Sequence, residues 1–158
     1  MKMRKRIYRL FPQEVDCQIK KHYTYDLPTL VRVLASITGK LDKFITDSPE
    51  KRGRKIEVKR EINMEITSNS LDFVPLTPKN AITIIPEIES EGIIDFKINL
   101  KYIYLDEKYR LIPLKGDSYL LRANLNRNIL ILQMCHIDGL GRTKCEQLSK
   151  IFNKYLEL

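Results

Sequence analysis

Tryptophan is absent, and the 158 residues hold only three cysteines, two histidines and six glycines. Each scarcity excludes something. Cys17, Cys135 and Cys145 are an odd, scattered set with no C-x-x-C pair, so neither a disulfide framework nor a zinc site is expected. His22 and His136 lie far apart, and no His/Cys/Asp/Glu spacing fits a metal. So few glycines build neither a G-x-x-x-x-G-K-[ST] phosphate loop nor a G-x-G-x-x-G turn, and no Ser or Cys occupies a nucleophile elbow. No catalytic residue, metal or cofactor is therefore expected. The longest strictly aliphatic run is 129–132, against the roughly 20 residues a membrane helix needs. The charged start Met1-Lys2-Met3-Arg4-Lys5-Arg6 lacks the ~7–15 apolar residues of a signal peptide behind it. The expected compartment is a reducing cytoplasm.

What is present is a core-forming chain. Apolar residues make up 43% and charged residues 30%, which fits one globular domain and excludes a disordered or low-complexity segment. The net charge of +8 is uneven. Residues 1–60 carry 16 basic and 7 acidic side chains, whereas 61–158 carry 12 and 13, so the excess lies in the first two-fifths. Two clusters hold it: Lys2, Arg4, Lys5, Arg6 and Arg9, then Lys51, Arg52, Arg54, Lys55, Lys59 and Arg60. Such clusters attract phosphate backbones or acidic membranes, or simply keep a protein soluble.

Periodicity orders the elements. Cys17, Ile19, Tyr23 and Tyr25 alternate as in a half-buried strand. Asp26 offers an N-cap with Pro28 in the first turn, and Leu27, Leu30, Val31, Leu34 and Ile37 follow at helical spacing. Beyond Gly39, Leu41, Phe44 and Ile45 resume a 3–4 spacing, so a second short helix is expected. Ile56, Val58, Arg60, Ile62, Met64 and Ile66 alternate with charged neighbours, which predicts an antiparallel strand with one wet face. Residues 68–80 read as a loop, and 81–89 as an edge strand interrupted by Pro86. Residues 94–104 form the cleanest alternation. A strand 109–114, a turn at Lys115-Gly116-Asp117, a strand 119–125, the tight Asn126-Arg127-Asn128 link and a strand 129–137 complete a meander. Cys145, Leu148, Ile151, Phe152, Tyr155 and Leu156 then mark a C-terminal helical stripe.

This order, strand, two short helices, about six antiparallel strands and a long terminal helix, resembles the START/Bet v1-like helix-grip (SRPBCC-type) superfamily over residues 13–158. The expected fold is thus α+β: a curved antiparallel sheet of about seven strands gripping the C-terminal helix, with 1–12 as a basic extension. The resemblance implies an apolar cavity between sheet and helix that holds a hydrophobic or acidic small molecule or lipid.

The inward set would line that cavity: Phe96, Tyr102, Tyr104 and Tyr119 supply bulk, and Arg60 sits in the inward phase between Val58 and Ile62. A buried guanidinium needs an anion. A ligand headgroup is one candidate, and a protein acid such as Asp95 or Glu146 is another. Strand 129–137 is apolar on both faces, so its outer face needs a cover: Ile7, Leu10 and Phe11 of the N-terminal segment, or a second subunit in a homodimer packed from Ile129 to Ile137.

A rival function is nucleic-acid binding. Residues 137–148 resemble the helix-hairpin-helix motif, with Gly139-Leu140-Gly141, Cys145 and Leu148 on its pattern and Arg142 and Lys144 adding charge. Lys51, Arg52, Arg54, Lys55 and Lys59 would extend such a surface, and Tyr23 and Tyr25 would offer stacking groups.

Overall fold

A computed structural model describes residues 11–67, 72–87 and 92–157. Seven strands form one curved antiparallel sheet: β1 (Cys17–His22), β2 (Lys40–Asp47), β3 (Lys55–Thr67), β4 (Phe73–Leu76), β5 (Ile93–Leu105), β6 (Leu111–Asn126) and β7 (Ile129–Asp138). Their order is β1-β7-β6-β5-β3-β2, with β4 pairing the distal half of β3. Three helices join them: α1 (Leu27–Ile37), α2 (Pro78–Ile84), which runs into a 3₁₀ turn at Ile85–Glu87, and the C-terminal α3 (Cys145–Leu156). The architecture is compatible with a helix grip. Among the described residues no helix is long and apolar enough to cross a membrane.

The alternating segments fold as their period dictates. Val58, Ile62, Met64 and Ile66 of β3 are buried, and the last three pair across to β5 with Leu100, Ile98 and Phe96. Leu121, Ala123, Leu130, Leu132 and Met134 continue this inner layer through β6 and β7. Arg127 and Asn128 take positive φ values of 49° and 64°, as the two-residue turn between β6 and β7 requires. Helix α1 begins where Asp26 Oδ1 accepts from Thr29 N at 2.9 Å. It buries Leu30, Val31, Leu34, Ala35 and Ile37 against β3 and α2. Helix α3 buries Leu148, Phe152 and Leu156 and lies against β1, β7 and α1.

Five expectations need correction. The second short helix is strand β2. Gly39, at φ +86°, reverses the chain, and its N–H reaches Ile62 O at 2.7 Å, which starts pairing with β3. Leu41 and Ile45 then point outward, 68% and 63% exposed, while Phe44 turns inward. Spacings of three and four fit a helix, but tertiary pairing decides otherwise.

The expected edge strand at 81–89 is α2 and its 3₁₀ extension, as far as Glu87; residues 88 and 89 lie outside the described set. Thr77 and Asn80 form a reciprocal capping box, and Pro78 fits the first turn. The segment read as loop contributes β4. The expected turn at Lys115-Gly116-Asp117 is a register shift inside the continuous strand β6, opposite Leu100 and Tyr102.

The cysteines are the fifth. Cys17 and Cys145 form a disulfide, their Cα atoms 6.1 Å apart and their positions separated by 128 residues. Pairing of β1 with β7 sets Cys17 opposite Met134, beside the helix that Cys145 opens. So large a separation hides the pair from spacing rules. Disulfides persist in oxidising surroundings, so cysteine usage no longer argues for a reducing compartment. Cys135 remains a buried thiol.

Part of the N-terminal segment reaches β6 and β7, with Cys135 Sγ 3.5 Å from Glu14 O. Asp16 N donates to Met134 O at 2.9 Å, and Asp16 Oδ2 accepts from His136 N at 2.7 Å. Phe11 lies under the Arg122 guanidinium at 4.4 Å. Ile7 and Leu10 fall outside the described residues.

Candidate functional site

Two arrangements occupy opposite faces of the same stretch of β3, β5 and β6. On the inner face, Arg60 is inward and buried, as its phase predicts. Its carboxylate partner is Asp42 of β2, directly opposite in register, and neither Asp95 nor Glu146. Nε and NH2 donate to the two Asp42 oxygens at 2.9 and 2.6 Å, and NH1 donates to Thr143 Oγ1 at 2.8 Å. The guanidinium also stacks over Phe44 at 4.6 Å. Asp95 instead pairs with Arg122 at 2.7 Å.

Thr143 is where the predicted residues converge. Its hydroxyl lies 2.8 Å from Tyr102 OH, and its carbonyl accepts from Tyr119 OH. Tyr102 donates onward to Asp117 Oδ2 at 2.6 Å. Asp117 is almost wholly buried and accepts three more bonds: His136 Nε2 at 2.9 Å, Gly141 N at 2.7 Å and Arg142 N at 2.9 Å. Since a carboxylate only accepts, Nε2 carries the imidazole proton. Burial pushes the Asp117 pKa up, but the bonds from Tyr102, His136 and the two backbone amides outweigh it and hold the carboxyl below its ordinary range. Burial, then the bond to Asp117, raises the Tyr102 phenol; burial, then the Asp117 charge, raises Tyr119. Both tyrosines stay neutral donors. The network ties the 139–144 connector to the sheet, and every charge in it has a protein partner.

The other predicted residues fall elsewhere. Tyr104 is buried with its hydroxyl on Glu50 at 2.7 Å, and Phe96 sits in the apolar core without a polar neighbour in the network. Asp117 and His136 were missed as a pair because Asp117 stands in a triplet that reads as a turn. No sequence signal links them. The partner of Arg60 was legible only once β2 was known to be a strand.

The outer face differs. Leu41, Lys59, Glu61, Lys101, Ile103, Pro113 and Leu114 line a groove of about 320 Å³, with Gly116 and Tyr102 at its floor. That lies in the ~300–1,000 Å³ range typical of ligand clefts. The groove lies beside the register shift between β5 and β6. A Cβ on Gly116 would meet Leu100 O at 2.3 Å, so only glycine lets β6 approach β5 this closely. Lys59 faces Lys43 directly across the β2–β3 pair. Directly opposed like charges cost stability. Lys101 faces Glu61 across the β3–β5 pair, and among the described residues none of Lys43, Lys59 and Lys101 has a carboxylate within ion-pair distance.

Of the nucleic-acid candidates, Lys51, Arg52, Arg54 and Lys55 lie at the β2–β3 turn, which Arg142 reaches through Asp47. Lys51 and Arg54 both hold Glu107 at 2.6 Å, Lys55 pairs with Asp47, and Arg142 NH1 donates to Asp47 O at 3.2 Å. Lys59 lies apart on the outer groove. The helix-hairpin-helix reading loses its first helix, since residues 129–138 are strand β7. Tyr23 is buried, which leaves Tyr25 as the exposed ring of that pair. Among the described residues no cluster of His, Cys, Asp or Glu could hold a metal ion. Comparison of the chain with protein-family models, curated proteins and solved structures found no match.

Proposed function

We propose that this protein is a non-catalytic binding module for an anionic amphiphile, a carboxylate- or phosphate-headed molecule with an apolar chain. The observation that carries the reading is the lysine excess at an apolar groove, where Lys59 and Lys101 outnumber Glu61 and Lys43 opposes Lys59. An anion placed beside Lys59 offsets its like-charge contact with Lys43, and Leu41, Ile103, Pro113 and Leu114 take the chain. The expected ligand class, hydrophobic or acidic, is kept. Its anchor moves from Arg60 to the lysines, because the Arg60 donors are already spent on Asp42 and Thr143.

The test is a titration with 11-(dansylamino)undecanoic acid, followed by dansyl fluorescence. Saturable enhancement is expected, weakened about tenfold or more by Lys59→Glu or Lys101→Glu, on the scale of one charge-assisted contact. No enhancement, or enhancement indifferent to both substitutions, defeats the reading. Native mass spectrometry of protein purified without detergent supplies an independent readout, a bound mass lost in the same variants.

A further inference from the structure

The sheet ends on β2, and no strand among the described residues pairs with its far side. An edge strand carries a row of open backbone groups. Ser48 N donates to Arg54 O at 2.7 Å, directly across the register, and this sets the phase of the ladder. Asp42, Phe44 and Thr46 turn their N–H and C=O groups to β3, whereas Leu41, Lys43, Ile45 and Asp47 turn theirs to the open edge. These four also send their side chains to the outer face, where Leu41 and Ile45 are the exposed apolar residues. The strand has eight residues, no proline and no register shift against β3 to blunt it. The opposite edge is guarded differently. There β1 carries Lys20 and Lys21 and is tied to α3 by the disulfide and by Lys21 Nζ on Asn153 Oδ1 at 2.9 Å.

A strand that meets a second copy of itself across a two-fold axis opposes complementary residues only in some registers. Centring on Lys43 sets lysine on lysine. Centring on Phe44 sets Leu41 on Asp47 and Lys43 on Ile45. Centring on Ile45 sets Ile45 on its own counterpart and Lys43 on Asp47 on both sides of the axis. Opposite charges and apolar pairs directly across a ladder both stabilise it. In that register Lys43, which its own chain sets against Lys59, gains a carboxylate. Arg142 NH1 donates to Asp47 O at 3.2 Å and takes one of that carbonyl's two acceptor positions; the N–H of the second copy's Lys43 takes the other.

We propose that β2 pairs antiparallel with β2 of a second copy, centred on Ile45, so that two seven-stranded sheets join edge to edge. Lys43 with Asp47, Ile45 with Ile45 and Asp47 with Lys43 then each exchange two backbone bonds. The occupant is a second copy rather than an unrelated strand because this edge is complementary to itself in both charge and apolar position. So small an interface is a weak one, and in dilute protein the monomer prevails. The inference stands apart from the proposed ligand, since it needs neither Lys59 nor Lys101.

The experiment is sedimentation velocity of the full chain from micromolar to near-millimolar concentration. The wild type should pass from monomer to dimer as concentration rises. Lys43→Asp sets aspartate against aspartate in the proposed register, and Asp47→Lys sets lysine against lysine. Each variant alone should therefore dimerise at least tenfold more weakly than the wild type. Mixed in equal amounts, the two should form a heterodimer about as readily as the wild type dimerises, because every cross-pair is then aspartate on lysine. Both side chains are exposed, so circular dichroism of each variant should match the wild type. A chain that stays monomeric throughout overturns the proposal. A dimer that both single variants retain overturns it by placing the interface elsewhere, and a mixture no more associated than its parts overturns the register.

Discussion

Lys59 and Arg60 are consecutive residues of one strand, yet the structure treats their charges in opposite ways. Arg60 points inward and makes three side-chain bonds to Asp42 and Thr143. Lys59 points outward, faces another lysine and has no carboxylate within ion-pair distance. Strand β5 repeats the contrast. Tyr102 is locked between Asp117 and Thr143, while Lys101 borders an open groove. The inner face is a closed set of donors and acceptors; the outer face has a surplus of donors. The lesson concerns how a site is recognised. An inward arginine is the more conspicuous residue in the sequence, but the unsatisfied charges are the plainer lysines on the solvent side.

The largest expected effect comes from breaking the inner set. Asp117→Ala leaves Tyr102, the His136 ring and two backbone amides without their acceptor, and should cost about 3–5 kcal/mol in chemical denaturation, the scale for removing one partner of a buried charged group. If Asp117→Ala unfolds no more easily than the wild type, the inner face is not a structural staple and the comparison fails.

The pH dependence of stability should show the same network at both ends of the scale. Asp117 is depressed in the fold, so its contribution is present above the ordinary carboxylate range and is lost as pH falls through the depressed value. Tyr102 and Tyr119 are raised, so theirs is fully present below the ordinary tyrosine range near 10 and is lost on the alkaline side above it. Absorbance at 295 nm should therefore show these two phenols ionising only together with alkaline unfolding. Titration of all eight tyrosines before unfolding contradicts the buried placement.

The outer face predicts a separation of binding from stability. Lys59→Glu should weaken the dansyl probe about tenfold or more while leaving the unfolding midpoint almost unchanged. The smallest effect sharpens the contrast most. Lys43→Glu turns the opposed lysines into a complementary pair and should add roughly 0.2–1 kcal/mol of stability, while lowering affinity for anionic ligands. A loss of stability in Lys43→Glu would mean that Lys43 already has a favourable role.

Much of this was legible in the sequence where one period was unambiguous. The alternation 56–66 set the inward phase of Arg60, and 94–104 set that of Tyr102, because a strand sends successive side chains to opposite faces. The stripes of α1 and α3 were legible for the equivalent helical reason. Leu41, Phe44 and Ile45 were not, because three apolar residues spaced by three and one satisfy a helix, whereas strand β2 exposes Leu41 and Ile45. Thr77 and Asn80 capped a helix that Pro86 disguised as an interrupted strand. Asp117 was hidden for a related reason: Lys-Gly-Asp has turn composition, yet the glycine serves a close strand approach.

The sequence by itself determined the antiparallel meander, the helix after β1, the terminal amphipathic helix and the inward direction of Arg60, since these follow from local period and capping. Only the tertiary structure decided that Asp42 meets Arg60, that Cys17 meets Cys145, that Asp117 gathers four donors, and that the opposed lysines border a groove. Those pairings join residues 15 to 128 positions apart, and no local preference fixes which distant strand or helix will arrive beside them.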